Sequence, residues 1–346
     1  MVEPVDTRAT WLVTGGAGWL GTNLLNHLVA AGRPVRALAL PSEALAVRAR
    51  YGRAVDVVEG DVRDQVAVGE WAAGTNAATV VHLAGVIHPK SVADFHTINV
   101  DGTRNVLEAA LAARAERVVV MSSNSPIGTN PTRAHRFDES SPYAPYLGYG
   151  RSKQAMEELV NDFHARFGLA TTLVRAPWFY GPYQPPRQTL FFEMVRDGKA
   201  PIVGDGGNMR SMSYVDNLVQ GIELCATHAA APGRTFWIAD ARAYSMNEIV
   251  DTVEAMLEEA GIPCAHQRMR LPAIAGPVAY GVDTVLQRLG LYQQKIHVLG
   301  EMDKNIACAV DTASDVLGYA PQVDLEEGMR RSIRWAIDVG QLRVPR

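Results

Sequence analysis

Tyr149 and Lys153 stand four residues apart, and on a helix that spacing stacks their side chains on one face, one turn from each other. A phenol beside an ammonium has chemistry that an isolated phenol lacks. Its reference pKa is about 10, so it acts as a base at neutral pH only where nearby positive charge favours the ionised form. Lys153 supplies one such charge. Taken alone, the pair also fits an ordinary tyrosine and lysine on a solvated helix face, so the spacing needs a second pattern beside it.

That pattern opens the chain. Gly15, Gly16, Gly18 and Gly21 follow the apolar run Trp11-Leu12-Val13 and precede a helix-like stretch from Thr22 to Val29. Gly16, Gly18 and Gly21 fit G-x-G-x-x-G, in which small residues allow a tight turn, close backbone approach to a pyrophosphate and close helix–strand packing. An anion there sits on free N–H groups at a helix N-terminus.

The elements that must hold these residues alternate. Strands are expected over Val35–Leu40, Val55–Val58, Thr79–Ala84, Arg117–Met121 and Thr171–Arg175, with helices over Asn99–Ala113 and Ala155–Phe167. Strand–helix alternation predicts an α/β fold with a doubly wound parallel sheet and right-handed crossovers. Prolines and glycines from Pro177 onward mark loops, which predicts a dinucleotide-binding domain over residues 1–175 and a smaller substrate-binding domain over 176–346. The two interleave, because Thr235–Ala239 reads as a strand able to rejoin the main sheet. Further helices are expected over Met246–Ala260 and Leu325–Val339. Pro272 to Leu291 has helical apolar spacing but is too short to span a membrane, and reads as a buried or lid helix.

The chain has 346 residues and a net charge of −4, with lysines and arginines scattered rather than clustered. That leaves no electrostatic footprint for nucleic acid or an anionic membrane. Cys225, Cys264 and Cys308 are far apart and odd in number, which suits free thiols in a reducing compartment and gives no metal site. Glu3 and Asp6 lead into the first strand without a long apolar segment, so neither a signal peptide nor a membrane anchor is expected, and the protein reads as cytoplasmic.

The motifs Thr14-Gly15-x-x-Gly18-x-x-Gly21, Asp61-Val62, His82-Leu83-Ala84-Gly85, Asn99-Val100-x-Gly102-Thr103, Ser122-Ser123 and Tyr149-x-x-x-Lys153 occur in one order and spacing. In this they resemble the extended short-chain dehydrogenase/reductase family, and Gly318-Tyr319-x-Pro321 with Leu325-Glu326-Glu327-Gly328 resembles its C-terminal signature. The resemblance implies a Rossmann-type fold and an oxidoreductase or isomerase using NAD, with NADP not excluded. It implies that Ser123 hydrogen-bonds the reacting oxygen and Tyr149 exchanges its proton. Lys153 would lower the Tyr149 pKa, together with an oxidised nicotinamide, and hold the nicotinamide ribose. Gly15, Gly16, Gly18, Trp19, Leu20 and Gly21 would cradle the dinucleotide, Asp61 with Val62 would meet the adenine, and the Leu83-Ala84-Gly85 backbone would line the cofactor. Asn99 joins this set, although capping of the helix it begins explains it equally well. His82, inside an apolar strand, reads as a satisfied core histidine. The resemblance also implies a homodimer built from the helix after Asn99 and the Tyr149 helix.

Substrate class divides the family. Its 4,6-dehydratases carry an Asp-Glu pair where this chain has Asn124-Ser125, so elimination is not expected. A nucleotide-sugar 4-epimerase or ketoreductase is supported by Arg210, which lies between Gly204-Asp205-Gly206 and Tyr214-Val215-x-Asn217 and matches the arginine that grips a diphosphate. That arginine is expected at a loop edge. A 3β-hydroxysteroid dehydrogenase-like or β-hydroxy acid dehydrogenase alternative is supported by Trp178 within Arg175–Pro182, by His88-Pro89 and by the apolar segment after Pro272. Asn124, Trp178 and Arg210 are therefore the candidate substrate contacts beside Ser123. A redox sensor that binds cofactor without turnover is a third reading, opposed by the intact Ser123, Tyr149 and Lys153. The second strand ends at Ala39 without the carboxylate that usually receives a ribose 2′-hydroxyl, and no arginine follows directly to receive a 2′-phosphate.

Overall fold

The computed structural model describes residues 9–344, so the expectation drawn from Glu3 and Asp6 lies outside the described residues. The first half of the chain runs β1 (Trp11–Thr14), α1 (Trp19–Ala30), β2 (Val35–Ala39), α2 (Pro41–Tyr51), β3 (Val55–Glu59), α3 (Gln65–Ala72) and β4 (Thr79–His82). A short α4 (Asp94–His96) passes through a π-turn (Thr97–Asp101) into α5 (Gly102–Ala112), followed by β5 (Arg117–Ser123), α6 (Leu147–Phe167) and β6 (Thr171–Ala176). The rest comprises β7 (Trp178–Tyr180), α7 (Pro186–Arg196), β8 (Pro201–Val203), β9 (Met209–Tyr214), α8 (Val215–Thr227) and β10 (Arg234–Trp237). Then come β11 (Ala243–Ser245), α9 (Met246–Glu259), β12 (Met269–Leu271), α10 (Ala275–Arg288), α11 (Gln294–Glu301), α12 (Asp311–Leu317) and α13 (Leu325–Asp338).

Seven strands form one parallel sheet in the order β10-β6-β5-β4-β1-β2-β3. The central strands are buried on both faces, which is why Trp11–Thr14 has Thr14 as its single polar residue and why Thr79–His82 buries Val80 and Val81 between two polar residues that are themselves buried. One face packs Leu24, Leu25 and Leu28 of α1 with Ile222 and Cys225 of α8; the other packs Val106 and Leu107 of α5 with Met156, Val160 and Phe163 of α6. Strand order reverses between β1 and β4, and ligands of open α/β sheets bind at the carboxyl ends of strands beside such a reversal. Thr235-Phe236 belongs to β10, which pairs with β6 in the main sheet.

A three-stranded sheet (β11-β9-β7) and a two-stranded one (β12-β8) surround a separate core. Phe192 of α7, Ile249 and Val253 of α9, and Met329 and Ile333 of α13 fill it. No helix among the described residues is long and apolar enough to cross a membrane, and the three cysteines are free.

Two elements differ from expectation. Helix α6 begins at Leu147 rather than Ala155, so Tyr149 and Lys153 lie in its first two turns, and it ends where Gly168 takes the left-handed conformation at φ 66°. The segment after Pro272 is helical but turned around. Its buried side carries Gly276, Ala279, Asp283 and Gln287, while Ile274, Val278, Val282 and Val285 face outward. Core packing therefore does not account for its apolar residues.

Candidate active site

The turn after β1 is shaped by contact with its neighbours. Gly15 has φ 70°, and a Cβ there would come within 2.7 Å of the Ala84 nitrogen in the loop after β4. A Cβ on Gly21 would lie 2.0 Å from the Gly15 oxygen, so α1 packs directly on the turn. Gly18 caps α1 with no side chain on its free N–H groups and no acidic residue in the first turn. This cradle fits a pyrophosphate: an uncapped helix start with backbone donors and no competing carboxylate. The side chains of Trp19 and Leu20 are engaged elsewhere. Trp19 Nε1 donates to the oxygens of Pro182 (2.8 Å) and Gly181 (3.2 Å), and Leu20 is buried against the sheet.

Asp61, just past β3, accepts from Arg63 at 3.0 and 2.6 Å, and that pairing holds its carboxyl below its usual range. Val62 is buried beneath Gly102, where a Cβ would meet Val62 Cγ2 at 2.7 Å. Ala39 is buried at the end of β2, and Arg48, a cation near that end, is already paired with Glu59.

The loop Leu83-Ala84-Gly85 is held from below. The Ala84 N–H donates to Thr14 Oγ1 (3.2 Å), which also contacts His82 Nδ1 (2.6 Å), while His82 Nε2 meets Thr103 Oγ1 (2.9 Å). Burial pushes the His82 pKa down to about 3, so the imidazole is neutral and both nitrogens are satisfied, as expected of a core histidine. Asn99 corrects the capping expectation. It lies inside the π-turn, accepts from the Val86 N–H (2.8 Å), and donates to the Val86 oxygen (3.1 Å) and Ser152 Oγ (3.0 Å). Asn99 thus clamps the loop after β4 onto α6. A Cβ on Gly85 would lie 3.1 Å from Asn99 Oδ1 and 3.5 Å from Lys153 Nζ, so the loop, the clamp and the lysine meet at one point.

Ser123 ends β5 and faces the start of α6. Its Oγ accepts from the Ser125 N–H (3.2 Å) and bonds to the Tyr149 phenol. Burial pushes that phenol well above its ordinary pKa, the Ser123 bond opposes this, and the Glu301 carboxylate adds to it. Burial also drops the Lys153 ammonium to about 8 against the pull of Glu157. Lys153 Nζ donates to the Met121 oxygen (2.9 Å). The phenol is therefore raised rather than lowered in this arrangement, and activating it calls for further positive charge.

Sequence reasoning missed the support beneath this group. Glu157 accepts from Ser122 Oγ (2.5 Å), Arg175 Nε (3.0 Å), Arg175 Nη2 (2.6 Å) and Tyr143 Oη (2.9 Å), with Glu157 and Arg175 both buried. The signal was present, since Tyr149, Lys153 and Glu157 continue one four-residue spacing.

On the substrate side, Asn124 Oδ1 lies 3.5 Å from Ser123 Oγ, and Trp178 packs edge-on against Phe191 at 5.6 Å. Arg210 corrects the loop-edge expectation. It sits in β9, opposite Tyr244 of β11 and bridged to Ile306. Its Nε is buried without a partner, and among the described residues no carboxylate forms an ion pair with it. Burial lowers its pKa, opposed at longer range by Glu301 and Asp303.

The α10–α11 hairpin covers the start of α6. Gln287 Oε1 accepts from the Gly148 N–H (3.0 Å), the Tyr146 ring packs on Tyr280 and His297, and Tyr292 Oη lies 2.7 Å from His88 Nδ1. Asp283 and His297 pair at 2.7 Å within it.

Residues 11–239, from β1 to just past β10, match the model of a family described as NAD dependent epimerase/dehydratase. The chain belongs to that family. It is 48% identical to an uncharacterized protein of Sinorhizobium fredii, over 98% of this chain and 99% of that one. It is 30% identical to the 3beta-hydroxysteroid-dehydrogenase/decarboxylase isoform 1 of Arabidopsis thaliana, over 96% of this chain and 81% of the other. Among solved structures, dTDP-glucose 4,6-dehydratase DesIV of Streptomyces venezuelae, with NAD and TYD bound, superposes with a TM-score of 0.76 at 25% identity, covering 95% and 97% of the two chains. The protein is an NAD-dependent enzyme of this family. Bound NAD would supply hydride-transfer chemistry, and the glycine turn, the Leu83–Gly85 loop and Lys153 are the groups that would hold it.

Proposed function

We propose that this enzyme oxidises or reduces a secondary alcohol or ketone of a nucleotide sugar, as a 4-epimerase or ketoreductase. Tyr149 exchanges the proton with the substrate oxygen, Ser123 donates to that oxygen, and Lys153 fixes the ribose while adding positive charge near the phenol. Glu157 and Arg175 position Ser122 and the floor under Lys153. A homodimer through α5 and α6 and a cytoplasmic setting accompany this reading. Elimination is not part of it, because Asn124 and Ser125 offer no acid and base.

Arg210 carries the reading. Its guanidinium is drawn inward without a carboxylate partner among the described residues, and both it and Tyr149 lie within the field of Glu301. A partly buried arginine without a counter-charge suits an anionic ligand, and its fork suits phosphate oxygens. In NAD-saturated protein at fixed salt, Arg210→Ala is expected to weaken UDP- or dTDP-glucose binding by roughly ten- to more than a hundredfold, the equivalent of about 1.5–3 kcal/mol. Arg210→Lys should restore part of that, since it keeps the charge and loses the fork. Titration calorimetry decides it: equal affinity in wild type and Arg210→Ala sinks the reading.

A second reading is an apolar hydroxy substrate of the hydroxysteroid type. It is favoured by Trp178, whose ring with Phe191 forms an aromatic wall two residues beyond Ala176, the register partner of Ser123. Turnover of a sterol or 3-hydroxy acid, with no nucleotide-sugar binding, would select it.

A further inference from the structure

We propose that the outer face of α10 seats this protein on an anionic lipid surface. The inference stands apart from the substrate reading. Ile274, Val278, Val282 and Val285 recur at helical spacing, and Leu289 and Leu291 extend the row past the end of α10. Their exposure is 68%, 56%, 44%, 56%, 70% and 54% in that order. A soluble helix ordinarily turns such a stripe inward. Here the stripe is out because the opposite side is already committed: Asp283 pairs with His297, Gln287 bonds to Asp283 and to Gly148, and Gly276 lies against Asp303. The hairpin stays folded on the body of the protein without using its apolar face, which leaves a contiguous patch of the kind that marks an interaction site.

Charge identifies the occupant. From Pro272 to Gly300 the only acidic residue is Asp283, and it is fully buried, whereas Arg288 and Lys295 are exposed. An apolar face flanked by exposed cations with no exposed acid matches an interfacial helix, which lies in the headgroup plane and adds electrostatic attraction to anionic lipid. A second copy of the chain is a poorer complement. A two-fold contact through this face would bring the same cations together, while the two acids of the hairpin are turned away from it, Asp283 fully buried and Glu301 largely covered beside His297. The whole-chain charge gave no sign of a membrane, because an average over 346 residues hides a pattern confined to the 29 residues from Pro272 to Gly300. Seated this way, the start of α6, bonded to the inner side of α10, lies about one helix diameter, ~10 Å, from the interface.

The test is co-sedimentation of the full-length, NAD-bound protein with phosphatidylcholine vesicles, with and without phosphatidylglycerol. Wild type is expected to partition onto the phosphatidylglycerol vesicles about tenfold more strongly than a Val278→Asp/Val285→Asp double variant. Arg288→Gln/Lys295→Gln should bind severalfold less, and high salt should reduce wild type to a similar level. These side chains are exposed, so unchanged melting and NAD binding are expected and verify folding in each variant. Val282→Trp supplies a second readout, a blue shift of its emission on adding anionic vesicles. Wild type remaining in the supernatant with both vesicle types overturns the proposal. So does a dimer in sedimentation equilibrium that Val278→Asp/Val285→Asp dissociates, which would assign the face to a second copy.

Discussion

Burial acts in opposite directions on the two titrating groups of the site, raising the Tyr149 phenol and lowering the Lys153 ammonium. Each is pushed toward its neutral form. Tyr149→Phe keeps the ring and removes the proton route, so NAD affinity should be retained while kcat falls roughly 10²–10⁴-fold; near-normal turnover would refute the assignment. Lys153 carries a stability consequence whose sign follows from linkage. Its pKa is about 8 in the folded protein against an ordinary 10.5. Between those values the unfolded chain binds more protons than the folded one, so this group makes stability rise with pH across that window. Below pH 8 the cost of burying the charge is at its full value. Lys153→Met should therefore be more stable than wild type at pH 7, by on the order of 1–2 kcal/mol once the lost bond to Met121 is set against it. That advantage should shrink in urea titrations at pH 10. An equal advantage at both pH values would mean that Lys153 is not buried as a charge.

Among the elements, those that border the glycine turn were legible because local rules and tertiary demands coincide there. The run Trp11–Val13, the glycines and the apolar face of α1 each specify what the fold also requires. Helix α6 was legible only in part. Its first eight residues, Leu147 to Gln154, carry no apolar stripe, since Tyr149 and Lys153 there serve the site rather than the core. The sidedness of α10 was illegible for a different reason: periodicity finds an apolar face but not the direction it points. What fixes the direction is the pairing of Asp283 with His297, which are fourteen residues apart and belong to different helices. Burial lowers the His297 pKa, but the Asp283 bond with help from Glu301 outweighs it, leaving the group above 6.5. The stability it contributes is complete below pH 6.5 and is lost as pH rises through the folded value. Asp283→Asn should remove the main opposing force and bring the His297 pKa down, which NMR titration of the imidazole would read directly. A His297 pKa unchanged by that substitution would count against the latch.

Across the whole molecule, the main sheet and the second core are joined where β10 ends, and Asp240 is the residue they share. Its Oδ1 accepts from the Tyr214 N–H (2.8 Å) and Asn217 Nδ2 (2.9 Å), its Oδ2 accepts from Tyr180 Oη (2.8 Å), and Tyr319 Oη bonds to the preceding Ala239 oxygen (2.7 Å). One carboxylate thus gathers β7, β9 and α8, with the C-terminal Gly318-Tyr319 motif beside it. Burial raises its pKa to about 6 although all three hydrogen bonds pull the other way. Between an ordinary 3.8 and about 6 the folded state binds more protons than the unfolded, so stability from this group falls as pH rises through that interval. The cumulative loss is about 3 kcal/mol for a shift of roughly two units. Asp240→Asn retains an acceptor for Tyr214 and Asn217, and its amide can donate to Tyr180, whose hydroxyl also reaches the Asp324 oxygen at 3.1 Å. The neutral isostere should therefore keep the junction while removing the buried charge. Chemical denaturation at pH 4 and pH 8 should show the variant gaining on wild type as pH rises, by up to about 3 kcal/mol between the two. A constant difference would mean that the three donors already neutralise the burial cost, and that Asp240 stays ionised wherever the protein is folded.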